Sequence, residues 1–159
     1  MKAPNLVGIQ TEHEELHAEL DRATKAGGET AAAARSVMSV LFPHMTLEAE
    51  LAIPPLALLP GLARGEFHPD MERILPKIDA FKTELPRMLD DHGRIVLALR
   101  RLLGASIREQ HTGYADFARR LIHHAQMEEE ILYPAAILVG EHIRLLTARQ
   151  ASRDEDTAA

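Results

Sequence analysis

The chain has 159 residues, of which 46% are hydrophobic and 26% are charged, and these values predict one soluble globular domain. Its formal net charge of −6 argues against a nucleic-acid partner, and the lack of cysteine excludes disulfides, zinc–thiolate sites and iron–sulfur clusters. We find no signal-peptide pattern and expect no apolar run to span a bilayer, so the prediction is a cytoplasmic protein without a membrane partner.

The residue pattern is helical almost throughout, because Ala, Leu, Glu and Arg dominate and alternating β-branched runs are absent. The first helix is predicted from about Leu6, with Asn5 as its N-cap, to the Gly27–Gly28 stop. Three further segments are predicted at about 29–61, 71–104 and 113–149. Residues 104–113 are then a loop, residues 1–150 are the domain, and residues 151–159 form a polar, disordered tail.

Prolines inside these segments predict that two helices are not straight. The second segment contains Pro43, Pro54 and Pro55, and the third contains Pro76 and Pro86. Each proline removes a backbone donor and clashes with the preceding turn. We therefore expect the second and third helices to be kinked or broken.

An internal repeat relates the two halves of the chain. His13 and His92 are 79 residues apart, and His44 and His124 are 80 residues apart. Segments 41–54 and 121–134 each have leucine three residues before the histidine, glutamate four after it and proline ten after it. The repeat predicts two helical hairpins of the same design.

The four repeated histidines are also predicted to lie at one level of the fold. Successive pairs have midpoints near residues 28, 68 and 108, and each midpoint falls on a predicted break between helices. In antiparallel helices, residues equidistant from the turn lie side by side. The prediction is an all-α, up-down-up-down four-helix bundle with these histidines in its core.

The predicted site combines histidines and glutamates. His44 and Glu48 are four residues apart, as are His124 and Glu128, so each pair shares one helical face. A carboxylate can bridge two metals, and six ligands are too many for one tetrahedral zinc. They suit two six-coordinate metals roughly 3.5–4 Å apart, with iron or manganese favoured. The predicted metal ligands are His13, His44, Glu48, His92, His124 and Glu128.

This set of motifs resembles the hemerythrin-like (HHE cation-binding) family over nearly the whole chain. The resemblance is carried by His13, H-x-x-x-E at 44–48, His92 and H-x-x-x-E at 124–128. It implies a non-haem centre of two iron ions, oxo- or hydroxo-bridged, that binds or reacts with oxygen, hydrogen peroxide or nitric oxide. An enzyme of this kind would be a peroxide- or nitric-oxide-consuming oxidoreductase. The alternative is a non-catalytic module for iron or oxygen sensing or for iron handling.

The chain departs from oxygen-carrying members of that family at two positions. Those proteins have a second histidine four residues after the third-helix ligand, where this chain has Val96, and an aspartate where it has Glu129. The repeat favours Glu128 over Glu129 as the ligand, because the counterpart of Glu129 is Ala49. His17 is predicted to be either a fifth histidine ligand or an exposed residue that does not bind the metals.

Two other metal-site classes fit less well. HEELH at 13–17 matches the H-E-x-x-H motif of zinc proteases, but those enzymes need a third ligand and usually a strand edge, and no strand is predicted. A ferritin-like carboxylate site needs Glu-x-x-His on two helices, and only Glu14-x-x-His17 fits.

Several neighbours of the predicted ligands have supporting roles in this interpretation. Glu12, Glu14 and Asp91 are candidate hydrogen-bond partners for imidazole N–H groups. For Tyr133, which precedes Pro134, a packing role is favoured over contact with the metals.

Overall fold

The computed structural model of the protein describes residues 7–158, and within that range it contains helices and turns but no strand. The predicted start at Leu6 and the N-cap Asn5 lie outside the described residues. The helices are α1 (Val7–Ala23), α2 (Gly28–Leu51), α3 (Ile53–Leu56), α4 (Leu59–Ala63), a 3₁₀ helix (Pro69–Ile74), α5 (Leu75–Arg108), α6 (Thr112–Met127), a π-helical turn (Glu128–Leu132) and α7 (Tyr133–Ala158). The predicted all-helical class is confirmed.

The prolines of the second and third segments have different effects. α2 and α5 run unbroken through Pro43 and Pro86, whereas α2 ends at Leu51, just before Pro54 and Pro55. The axis then bends by 44° into the short helices of Ile53–Ala63. The bend follows because two consecutive prolines leave two carbonyls of the preceding turn without backbone amide donors.

α5 is longer than the sequence predicts. It ends at Arg108, so residues 104–108, expected to be part of a loop, are helical, and the connection to α6 is only 109–111. Ala105 and Ser106 are buried, so tertiary packing extends the helix beyond Gly104.

The last predicted helix is divided by the π-turn. The amide of Tyr133 donates to the carbonyl of Glu128, five residues back, which widens the helix locally. The next residue, Pro134, has no amide to donate, so the wider turn lies where the α-helical ladder loses a donor. α7 then continues to Ala158, which differs from the disordered tail predicted for residues 151–159, since no glycine or proline interrupts it there.

Apolar packing occurs on both sides of the level where the ligands were predicted. α2 packs against α5, α5 against α6, and α1 against both α2 and α6. One buried cluster includes Leu16, Leu41, Ile95 and Leu121, and a second includes Leu51, Met88 and Tyr133. On α2 and on α5, the predicted ligands lie along the helix between a residue of the first cluster and a residue of the second. The two clusters therefore form apolar layers on either side of the ligands.

Among the described residues, the continuous helical run Thr112–Arg153 is long and apolar enough to cross a membrane by length and composition. A second candidate exists only if α2 and the bent segment Ile53–Ala63 count as one span. The expectation that no run reaches this length was therefore wrong. Core helices of soluble proteins meet the same criteria, so the finding is compatible with a soluble protein.

Candidate metal centre

All six predicted ligands line one small interior cavity. Its volume is about 10 Å³, which is near the space needed for a single water centre, and six apolar residues complete its wall. The polar residues come from separate helical elements: His13 from α1, His44 and Glu48 from α2, His92 from α5, His124 from α6 and Glu128 from the π-turn. The residues that the repeat placed at one level are therefore neighbours in the fold.

Two groups of these residues have the spacing of a metal site. His13, His124 and Glu128 form one group, and His44, His92 and Glu128 form the other. Within each group, one ligand atom per residue lies within 4.8 Å of the others. Each group can therefore hold a metal ion, and Glu128 belongs to both.

The carboxylate of Glu128 divides its oxygens between the two groups. Oε1 lies 2.7 Å from Nε2 of His124 and 3.6 Å from Nε2 of His13. Oε2 lies 3.3 Å from Nε2 of His92. This is the orientation that a carboxylate needs to bridge two cations.

Glu48 lies beside these groups without belonging to either. It is 2% exposed, and its Oε2 is 3.8 Å from Nε2 of His13. Burial and then the charge of Glu128 raise the pKa of Glu48 well above its usual range.

Burial and neighbouring charges also shift the pKa values of the other ionisable groups in the cavity. Burial and the neighbouring His92 lower the pKa of His44 to about 4, so its imidazole is neutral near pH 7 and keeps a free lone pair. Burial would raise the pKa of Glu128, but His124, His13 and His92 together hold it below its usual range. Burial opposes a charge on His92, but the carboxylates of Glu128 and Glu129 raise its pKa.

One buried nitrogen atom tests whether the residues fit a metal. Nε2 of His13 has no hydrogen-bond partner. A buried unpaired imidazole nitrogen is unfavourable unless another group accepts its lone pair. Nε2 of His13 faces Glu48 and Glu128, and a cation placed among these donors would satisfy all three. The donor set therefore fits a bound metal.

Tyr133 reaches the site, although its sequence position favoured a packing role. Its ring packs edge-on against Phe81, and its hydroxyl oxygen lies 3.2 Å from Nε2 of both His44 and His92. Burial and the charge of Glu48 raise the pKa of Tyr133. The sequence could not place this hydroxyl, because the π-turn determines which residue after Glu128 faces inward.

Two glutamates contact the outer nitrogens of the histidines. Oε1 of Glu129 is 2.8 Å from Nδ1 of His92, and Oε1 of Glu12 is 3.3 Å from Nδ1 of His124. Glu12 was among the predicted partners, whereas Glu129 was considered only as an alternative ligand. Of the other predicted partners, Asp91 faces Arg94 across 3.8 Å, and Glu14 is exposed.

The structure keeps His17 outside both groups. Its ring is exposed and stacks on Phe42, with 3.7 Å between the ring centroids. The sequence allowed His17 to be either a fifth histidine ligand or an exposed residue that binds no metal. This arrangement favours the exposed residue.

Comparisons of the chain with family models, with curated proteins and with solved structures found no match.

Proposed function

We propose that the protein is a hemerythrin-like, non-haem di-iron protein whose centre binds or reacts with oxygen, hydrogen peroxide or nitric oxide. The observation that carries this proposal is the position of Glu128, whose two oxygens face different histidines inside one enclosed cavity. One metal would be held by His13 and His124, and the other by His44 and His92. Glu128 would bridge them, and Glu48 is proposed as the second carboxylate ligand.

The architecture that we propose for these helices is an up-down-up-down four-helix bundle with proline-kinked second and third helices. Contacts of α1 with α2, of α2 with α5, of α5 with α6 and of α6 with α1 support a closed ring of four neighbours. Such a bundle directs ligands from every helix toward its centre.

When bound, iron would supply a Lewis-acidic, redox-active centre for a small ligand. The protein's part is to bind, orient and enclose. Leu16, Leu41 and Ile95 line the cavity, and they would keep bulk water and larger molecules away. The cavity is small and mostly enclosed by side chains, which favours a diatomic molecule or a peroxide over a larger ligand.

A sensing or iron-handling role is the second candidate, and one observation favours it. The ligands come from α1, α2, α5, α6 and the π-turn, so metal would hold together elements that are far apart in sequence. Metal binding would then be coupled to folding, and loss of iron would be reported as loss of stability.

Metal analysis of the purified protein, combined with its absorption spectrum, tests the proposal. We expect about two irons per chain and an iron charge-transfer band that changes when hydrogen peroxide or nitric oxide is added. One zinc per chain and a colourless sample would contradict it. Oxidant turnover identifies an enzyme, whereas a large iron-dependent rise in Tm without turnover identifies the sensing module.

Variants locate the metal in the proposed site. His44→Ala and Glu128→Ala are each expected to lose most of the bound iron, while His68→Ala, at an exposed loop position, keeps it. Far-UV circular dichroism of the metal-free proteins shows whether the variants are still helical. Equal iron in all three variants would place the metal elsewhere.

A further inference from the structure

The phenol oxygen of Tyr133 lies between two of the imidazoles that line the cavity. It lies 3.2 Å from Nε2 of His44 and 3.2 Å from Nε2 of His92, and the residue is 1% exposed. A phenol donates its one proton to one of these two nitrogens, and its oxygen can accept a hydrogen bond from the other nitrogen when that nitrogen carries a proton. Nδ1 of His92 faces the carboxylate of Glu129, which can only accept, so Nε2 of His92 is left as an acceptor in the neutral ring.

The same distances are those of neighbouring ligands on one metal. Metal–nitrogen bonds to imidazole are about 2.1 Å, so two ligands at right angles around a metal lie about 3 Å apart. The Tyr133 oxygen meets this condition with two imidazole nitrogens at once, and Oε2 of Glu128 meets it with His92, at 3.3 Å. The oxygen also cannot stay a hydrogen-bond partner of His44 and His92 once their lone pairs bind a metal.

We propose that Tyr133 is a ligand of the metal held by His44 and His92, with its phenol oxygen as the donor atom. This inference rests on the proposed function. The oxygen gives an electron pair to the metal, and the phenol proton is released to solvent. The centre would then be asymmetric, because the group of His13 and His124 has no such phenol: the chain's other tyrosine, Tyr114, lies beside His111 at the start of α6.

Asymmetry has a chemical consequence for the two metals. An anionic oxygen donor favours the harder ferric state over the ferrous state. The metal at His44 and His92 would therefore be harder to reduce than the metal at His13 and His124, and the pair would accept electrons in two separate steps.

Resonance Raman spectroscopy of the ferric protein tests the assignment directly, because iron-bound phenolate has ring vibrations that are enhanced within its visible charge-transfer band. We expect these vibrations in the wild-type protein, with isotope shifts when ring-deuterated tyrosine is incorporated. Tyr133→Phe should abolish them, and Tyr114→Phe should leave them unchanged. Phenylalanine keeps the ring that packs against Phe81, so the variant removes only the hydroxyl.

Iron content, measured on the same samples, separates the possible outcomes. Two irons per chain without phenolate vibrations in the wild-type protein would overturn this inference and leave the proposed function standing. Absence of bound iron would overturn both. If Tyr133→Phe fails to fold, the isotope-shifted vibrations of the wild-type protein, retained in Tyr114→Phe, still assign the ligand to Tyr133, since the chain has two tyrosines.

Discussion

Nδ1 of His92 lies 2.8 Å from Oε1 of Glu129, and this contact determines which nitrogen of the ring faces the cavity. An ionised carboxylate only accepts hydrogen bonds, so the proton of the neutral imidazole is on Nδ1 and its lone pair is on Nε2. Nε2 is also the atom nearest Glu128 and Tyr133. Glu129 is thus a positioning residue, and the three consecutive glutamates 128–130 have three different environments.

We predict that Glu129→Ala lowers the metal affinity of the protein about 10–100-fold, because the His92 ring loses the partner that fixes its tautomer and orientation. Competition with a chelator of known affinity measures the change. Glu130→Ala is the matched control, since Glu130 is the next residue of the π-turn and is exposed. An equal loss in both variants would mean that only the general negative charge matters.

His17 and His13 are predicted to differ in their effect on metal binding. His17→Ala removes a ring that stacks on Phe42 outside the ligand groups, so the iron content should stay close to that of the wild-type protein. His13→Ala removes a nitrogen that faces Glu128, so it should lower the iron content strongly. Iron per chain, measured after equal loading, compares the two. A strong loss in His17→Ala would instead identify it as a fifth histidine ligand.

Glu109 links stability to pH through the start of α2. Its carboxylate accepts hydrogen bonds from the amides of Glu29, at 2.7 Å, and Thr30, at 2.9 Å, so it caps the helix from the end of α5. Thr30, by its side chain and its amide, and then the Glu29 amide lower the pKa of Glu109 to about 2. A carboxyl with a lowered pKa stabilises the folded state above its unfolded pKa, and this stabilisation is lost as the pH falls through the folded value.

The difference in stability between the wild-type protein and Glu109→Gln should therefore be largest near pH 6 and should shrink between about pH 4.5 and pH 2. Urea unfolding of the metal-free proteins at several pH values measures it. Glu155→Gln, at an exposed position of α7, is the control and should show no such trend. A constant difference across this range would show that the charge of Glu109 does not contribute.

Gly140 sets how closely α7 approaches α5. A Cβ at this position would lie 2.7 Å from Cγ2 and 2.9 Å from Cδ1 of the fully buried Ile78. Gly140→Ala is therefore predicted to lower the free energy of unfolding by about 1–3 kcal/mol, in spite of the better helix propensity of alanine. Gly93→Ala, in α5, meets no atom within 4 Å and should be neutral or stabilising by up to about 1 kcal/mol. Thermal unfolding of the metal-free proteins compares them, and equal Tm values would show that Ile78 moves aside at no cost.

The helical class and the clustering of six side chains could be predicted because both depend on local rules. Helix-forming residues are dense, the breaks coincide with Gly27–Gly28 and residues 65–70, and each H-x-x-x-E pair shares a face by helical periodicity alone. The ends of the elements were less predictable. α5 continues past Gly104 because tertiary packing buries Ala105 and Ser106. This burial outweighs the low helix propensity of glycine.

By itself the sequence determined which histidines and glutamates share one cavity, since a repeat of about 80 residues and the positions of its turns fix their common level. Only the tertiary structure decided which partner each side chain contacts. The π-turn before Pro134 directs Glu129 to the outer nitrogen of His92 and the hydroxyl of Tyr133 toward two imidazoles. The physical reason is that a single wider turn rotates every following residue around the helix axis, and local sequence preferences do not encode that rotation.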